Sequence, residues 1–214
     1  NHIQLMHHEI ANGLSPIISI ANSLKSKSDR LENPDLVHLF RDGLRTLEKQ
    51  ASDLSELSQS YKKLNRIPAP RKHRFAFNQL INHTVRPLLD EHKISFSYVV
   101  NDSEASDDLQ IYADENLLSQ VFRNLCDNSI KSLGTTENPE ITMQIKTKGS
   151  EVLISFSDNG VGVAEKERGK IFAPFYSTRA DGHGLGLALS RKIIKMHQGW
   201  LHLADSNGPY TEFI

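Results

Sequence analysis

The chain has 214 residues, 38% of them apolar and 24% charged, and its 25 Lys and Arg nearly balance 26 Asp and Glu for a net charge of −1. That neutrality, which holds for residues 1–67 and 68–214 separately, excludes a nucleic-acid binder that works through a basic surface. The single cysteine, Cys126, rules out an internal disulfide framework and a cysteine zinc site, no run of about 18 apolar residues could cross a membrane, and no secretory signal is present, so the first reading is a soluble intracellular protein.

Residues 1–66 predict two helices. Ile3, Met6, Ile10, Ile17, Ile20 and Leu24 recur at steps of three and four, with Gly13 in the one missing place. This is a narrow stripe of the coiled-coil type. After the polar segment SKSDRLEN, Asn33 and Pro34 supply a capping side chain and a first-turn proline. The second helix carries Phe40, Leu44, Leu47, Ala51, Leu54, Leu57, Tyr61 and Leu64 on an equally narrow stripe. A short connection makes the pair an antiparallel hairpin. The seam is completed either by a second copy, giving a dimeric four-helix bundle, or by the rest of the same chain; a seam sustained over several heptads favours the bundle.

IPAPR, residues 67–71, cannot continue a helix and forms an extended linker. Residues 72–214 then mix strands with helices. An apolar run at Phe75–Phe77 leads into a helix over 78–90, followed by strands at 94–100 and 109–113. Residues 115–133 predict a strongly amphipathic helix capped by Asp114. Strands follow at 141–148 and 151–158, then a glycine-rich loop, a helix near 185–197 and strands at WLHLA and YTEFI. Such interleaving predicts an α/β sandwich, a sheet covered on one face by helices.

Four short patterns carry candidate chemistry. His8-Glu9-Ile10-Ala11-Asn12 lies on the first helix, with His8 and Asn12 directed away from the seam. The imidazole is either a plain solvent-facing side chain or a neutral nucleophile with Glu9 beside it to manage its proton. Pro16 removes the N–H that would bond the Asn12 carbonyl, so a kink is expected there. A zinc protease is excluded, because HExxH needs histidine where Asn12 stands. Asn124 and Asn128 share one helix face, with Lys131 nearby. They serve either as surface hydrogen-bonding groups or as holders of magnesium and phosphate oxygens. Asp158-Asn159-Gly160-Val161-Gly162 is either a hairpin turn or a strand-end carboxylate that accepts from an adenine amino group, with glycines letting the base approach. Gly182-His183-Gly184-Leu185-Gly186 opens a helix whose N–H groups favour phosphate. It is no dinucleotide fingerprint, since Leu187 stands where GxGxxG needs glycine, and AEKERGKI is no P-loop.

Taken in order, HEIANGLSPI, NLCDNSIKSL, DNGVGV, IFAPFYSTR and GHGLGLALS resemble the H, N, G1, F and G2 boxes of bacterial sensor histidine kinases. The resemblance runs over essentially the whole chain. It implies a dimerisation and histidine-phosphotransfer hairpin over residues 1–66 and a Bergerat-type (GHKL) ATP-binding sandwich over 72–214. By resemblance His8 is the phosphoacceptor, Glu9 its proton acceptor and Asn12 the residue that positions water for dephosphorylating a partner. Asn128 is the Mg2+ ligand, with Asn124 and Lys131 on the phosphate side. Asp158 reads adenine beside Gly160 and Gly162, Phe172 and Phe175 belong to a lid over the nucleotide, and Gly182, Gly184, Leu185 and Gly186 form the phosphate loop. The implied ligands are ATP and Mg2+. The implied partners are a second copy of the chain and the receiver domain of a response regulator, with no nucleic acid. The chain is expected to be a cytoplasmic part of a longer protein anchored in the bacterial inner membrane through segments outside it. Two features depart from the family pattern: Gly13 replaces the usual proline five residues after the histidine, and the last glycine box around Asn207-Gly208-Pro209 matches poorly.

Overall fold

The computed structural model describes residues 13, 15–20, 22–24, 34–65, 67–101, 109–179, 184–204 and 211–213. Its contacts separate two units, Asn1–Arg66 and Ile67–Ile214. His8, Glu9, Asn12, Asn33 and the SKSDRLEN connection lie outside the described residues.

In the first unit Gly13 and residues 15–20 and 22–24 are helical, Pro16 included. Helix α1 (Pro34–Asn65) starts on the proline read as a first-turn residue. The two helices run antiparallel. A Cβ built on Gly13 would sit 3.4 Å from Leu54, and one on Gly43 3.0 Å from Leu24. Moving up one helix from 13 to 24 therefore moves down the other from 54 to 43. Both glycines stand where a leucine of the facing helix comes closest, and a side chain there would push the pair apart. Phe40, Leu47 and Leu54 are half-buried, whereas Leu44 is 43% exposed, Ile18 56% and Ala51 exposed. Leu44 and Ala51 of the second stripe, and Ile18 beside the first, are thus left open by this unit.

The second unit runs β1 (His73–Ala76), α2 (Phe77–Leu80), a π-helical turn (Ile81–Val85), α3 (Arg86–Glu91), β2 (Ser95–Val100), β3 (Gln110–Ala113), α4 (Glu115–Ser132), β4 (Glu140–Lys148), β5 (Glu151–Asp158), α5 (Glu165–Arg168), α6 (Gly186–Met196) and β6 (Thr211–Phe213). The main sheet has the order β2-β4-β5-β6, with β2 parallel to β4 and the other pairs antiparallel; β1 and β3 form a separate antiparallel pair. Ile141, Met143, Ile145 and Phe156 are buried on one sheet face, while Gln144 and Lys146 face out. This is the alternation expected of a sheet covered on one side. Helices α4 and α6 pack together in that cover; Leu118, Val121, Phe122 and Leu125 of one and Leu189 and Ile193 of the other are buried, and Phe77 meets Phe122 edge-on at 5.7 Å. Full burial of each such side chain contributes roughly 1.5–3 kcal/mol.

Two expectations change. The helix expected over 78–90 is interrupted by the π-turn Ile81–Val85. Pro87 follows and has no N–H for the carbonyl of His83, so the ladder loosens there. Among the described residues the WLHLA strand reduces to a single bridge between Leu203 and Phe213; the chain enters it through Gln198 at a positive φ of 67°, and Trp200 is 80% exposed.

Asp114 caps α4 as its sequence predicts, with Oδ1 accepting from the Leu117 N–H at 3.1 Å. Its Oδ2 accepts from the Arg71 N–H at 2.7 Å, and its own N–H donates to His197 Nε2 at 3.0 Å. His197 Nδ1 lies 2.9 Å from the Ile193 carbonyl. That carbonyl can only accept, so Nδ1 carries the proton and Nε2 is left to receive the Asp114 N–H. One side chain thus joins the start of α4 to the end of α6. His197→Ala strands that N–H and is expected to cost about 1–3 kcal/mol, read as a lowered urea midpoint; an unchanged midpoint would show that water replaces the ring. Burial raises the Asp114 carboxyl, but the backbone N–H donors of Arg71, Leu117 and Asn116 outweigh it and hold it below the ordinary carboxylate range. A lowered folded pKa gives stability that is present above the unfolded value and lost as pH falls through the folded one, so the cap weakens on acidification.

Candidate nucleotide site

Asp158 ends β5 and is only 2% exposed. Its carboxylate accepts three hydrogen bonds: Ser129 Oγ donates to Oδ2 at 2.7 Å, while Ser132 Oγ and the Gly160 N–H donate to Oδ1 at 3.2 and 3.1 Å. Burial pushes its pKa up, opposed by Ser129, Gly160 and Ser132 and by the charge of Arg179. The hairpin reading of DNG falls, since β5 pairs with β4 before it and, from Asp158, with Thr211 of β6; the two-residue turn lies instead at Gly149-Ser150 between β4 and β5. Asn159 ties the loop down, accepting from the Glu140 N–H and donating to the Asn138 carbonyl. A Cβ on Gly160 would collide with Ser132 Oγ and lie 2.8 Å from Asp158 Oδ1, so this glycine is required by contact. Gly162 is required by its φ of +75°.

Helix α4 carries both asparagines. Asn124 Nδ2 donates to the Gly186 carbonyl and to Ser190 Oγ, each at 3.1 Å. A primary amide has two N–H groups, so both are spent inside the protein and only Oδ1 remains. Asn124 therefore latches α4 to the start of α6 and has no donor left for a phosphate oxygen. Its free atom, a hard oxygen, suits a cation. Asn128 is half-buried one turn further along and Lys131 is exposed in the last turn. Cys126 between them is fully buried, and burial with the neighbouring Asp127 pushes its thiol up to about 12, so it packs and does not react.

The segment from Phe172 to Gly186 is anchored at both ends. Phe172 stands edge-on to Phe213 at 6.3 Å, with the Arg191 guanidinium 4.7 Å above its ring. The Phe175 N–H donates to the Gly184 carbonyl at 2.9 Å. Gly184 has φ +62°, and a Cβ on it would lie 2.5 Å from backbone atoms of Tyr176; no other residue fits. Phe175 is itself left-handed, at φ +66°, which costs about 1–2 kcal/mol in a residue with a Cβ. Leu185, buried at 6% exposure, is the N-cap of α6 and supplies no side-chain cap to the first-turn N–H groups. Gly182 lies outside the described residues.

The site thus gathers Asp158 with Gly160, and Asn124 with Gly186. Sequence reading missed Ser129, Ser132 and Ser190, which complete it, and Thr211, buried opposite Asp158. One signal was readable: Leu118, Phe122, Leu125 and Ser129 fall at helical spacing, so a hydroxyl occupies a core position of α4.

Residues 113–214 match the family described as histidine kinase-, DNA gyrase B-, and HSP90-like ATPase. Over 93% of its length the chain is 28% identical to the nitrogen regulation protein NtrY of Azorhizobium caulinodans. Over 96% it is 29% identical to the sensor histidine kinase ZraS of Escherichia coli K12. It spans 26% of NtrY and 42% of ZraS. Among solved structures, the catalytic domain of histidine kinase ThkA aligns at TM-score 0.57 and 28% identity, covering 67% of this chain and 92% of that one. ThkA in complex with the response regulator TrrA aligns over 99% of this chain and 60% of that one, at TM-score 0.65 and 24% identity, a likeness of fold. Residues 113–214 thus resemble the histidine kinase-, DNA gyrase B-, and HSP90-like ATPase family, and the relatives that the chain matches along nearly its whole length include a protein named as a sensor histidine kinase.

Proposed function

We propose that the chain is the core of a sensor histidine kinase, with a dimerising phosphotransfer hairpin over 1–66, a linker over 67–71 and an ATP-binding domain over 72–214. The observation that carries this reading is the buried Asp158 carboxylate, held by three donors in the domain whose family is named for ATP hydrolysis. A buried acceptor of that kind suits the exocyclic amino group of adenine. Gly160 and Gly162 let the base approach, Phe172 and Phe175 hold the lid segment, and Gly182, Gly184, Leu185 and Gly186 present N–H groups to the phosphates, with Lys131 adding a positive charge. Mg2+, when bound, neutralises phosphate charge, and the Asn128 oxygen, together with the unspent Asn124 Oδ1, is a donor of the kind it takes.

In this reading a ring nitrogen of neutral His8 attacks the γ-phosphorus of ATP. The N–P bond forms as the bond to the β,γ-bridging oxygen breaks, ADP leaves, and Glu9 takes the proton from the other ring nitrogen. The phosphoryl group then passes to an aspartate carboxylate of a response-regulator receiver domain, and Asn12 positions water when that aspartyl phosphate is hydrolysed. The apolar side chains that the hairpin leaves exposed, Leu44 and Ala51 of the second stripe and Ile18 beside the first, suit a second copy and a four-helix bundle. No described helix is long and apolar enough to cross a membrane, and the chain is read as the cytoplasmic part of a protein anchored in the inner membrane elsewhere.

Labelling with γ-labelled Mg-ATP tests the reading. Acid-labile, alkali-stable label on the chain is expected. Released phosphate without bound label would make it an ATPase of the same fold, and bound nucleotide with neither would make it a dimerising scaffold.

A further inference from the structure

We propose that Ser129 is a positioning residue of the base pocket, whose hydroxyl, with that of Ser132, holds the Asp158 carboxylate so that one acceptor direction is left for the amino group of a purine. The inference rests on the reading that residues 113–214 bind ATP.

Ser129 is fully buried on the apolar face of α4, where an alanine would pack as well and favour the helix more. A serine inside a helix commonly bonds the carbonyl one turn back; here it donates across to Asp158 Oδ2 at 2.7 Å, the short distance of a charge-assisted bond. Ser132, three residues on, donates to Oδ1, as does the Gly160 N–H. An ionised carboxylate has about four acceptor directions, and these donors take three. With one bond on Oδ2 and two on Oδ1, the group cannot rotate without breaking them, and the remaining direction belongs to Oδ2. Ser132 Oγ also occupies the space where a Cβ on Gly160 would stand, so the same hydroxyl explains the glycine. The clamp therefore does two things: it keeps the carboxylate as an acceptor, and it aims it.

The experiment measures binding of ADP and of purine riboside 5′-diphosphate, which lacks the 6-amino group, to the whole chain and to Ser129→Ala, after circular dichroism has shown the variant folded. Ser129→Ala is expected to weaken ADP about tenfold and the analogue less than about twofold. Arg179 is the charged group that acts on this carboxylate and remains in the variant. With the Ser129 donor gone, ADP affinity should begin to fall at a higher pH than in the parent chain as Asp158 protonates. Equal losses for both nucleotides, or no loss, would overturn the role of Ser129 and reduce it to packing. A parent chain that does not bind ADP, or does not distinguish it from the analogue, would instead overturn the nucleotide reading. If Ser129→Ala does not fold, Ser132→Ala, at a half-buried position, decides by the same comparison: a loss confined to ADP supports the clamp, and an equal loss on both overturns it.

Discussion

His8→Ala is expected to remove phosphoryl label from the chain, a loss on the order of 10⁴-fold or more, with ADP affinity close to that of the parent. The two outcomes separate because His8 belongs to Asn1–Arg66 and Asp158 to Ile67–Ile214. Alanine removes the only atom proposed to form the N–P bond, and no repositioning of ATP replaces it. The seven residues before His8 include a neighbouring histidine, His7, so the assay also asks whether a second imidazole substitutes. On the helix that the sequence predicts, neighbours such as His7 and His8 would differ by about 100°, and an acceptor must meet the γ-phosphorus in line with the leaving oxygen. Label that survives in His8→Ala would sink the assignment of the acceptor while leaving the ATP site intact.

Asp158→Asn is expected to weaken ADP by at least about a hundredfold. The substitution keeps the shape and changes the chemistry: Ser129, Ser132 and Gly160 all donate toward the side chain, and an amide must present its NH2 group to some of them. Whichever way it turns, a donor faces a donor, or the ligand's amino group meets an NH2. Each lost bond to a charged acceptor is worth roughly 1.5–3 kcal/mol, so two suffice for the expected loss. Acid does the same to the parent chain. Burial raises the Asp158 pKa above the ordinary carboxylate value, so affinity declines on acidification sooner than an exposed aspartate would allow. Fold stability responds with the opposite sign. Between the unfolded and the raised folded pKa the folded chain binds more protons, so the contribution of this group to stability rises as pH falls. The weakening cap at Asp114 runs the other way, and the difference between the parent and Asp158→Asn isolates the Asp158 part. Affinity and this stability difference that fell together with pH would contradict the assignment of the carboxylate.

Much of this fold is legible in the sequence, because helices and strands are written in the spacing of neighbouring residues. The 115–133 stripe and its Asp114 cap predict α4 to within a residue. The alternation in 141–148 and 151–158 predicts β4 and β5 as a pair of strands. What was illegible is what depends on two segments meeting. DNG reads as a hairpin until β5 is seen to pair with β4 and β6 on its two sides. WLHLA has the pattern of a strand but, among the described residues, makes only a bridge between Leu203 and Phe213 and a hydrogen bond from the Ala204 N–H to the Glu212 carbonyl. Pro87 marks a break in the helix before it, yet nothing nearby specifies that the slack becomes a π-turn.

The polar site divides along the same line. The order of its motifs, the residue types that can hold a phosphate or a base, and a serine out of place on an apolar stripe are all properties of the sequence by itself. The use of each polar atom was decided by tertiary structure alone. Asn124 is a latch because Gly186 and Ser190, 62 and 66 residues away, take both its N–H groups, and Asp158 is aimed because Ser129 and Ser132, 29 and 26 residues away, reach it across the layer between helix and sheet. Periodicity is a local property that the chain carries wherever it goes. A hydrogen bond between distant side chains exists only once packing has brought their two segments into contact, and which atoms remain free for a ligand is settled at that moment.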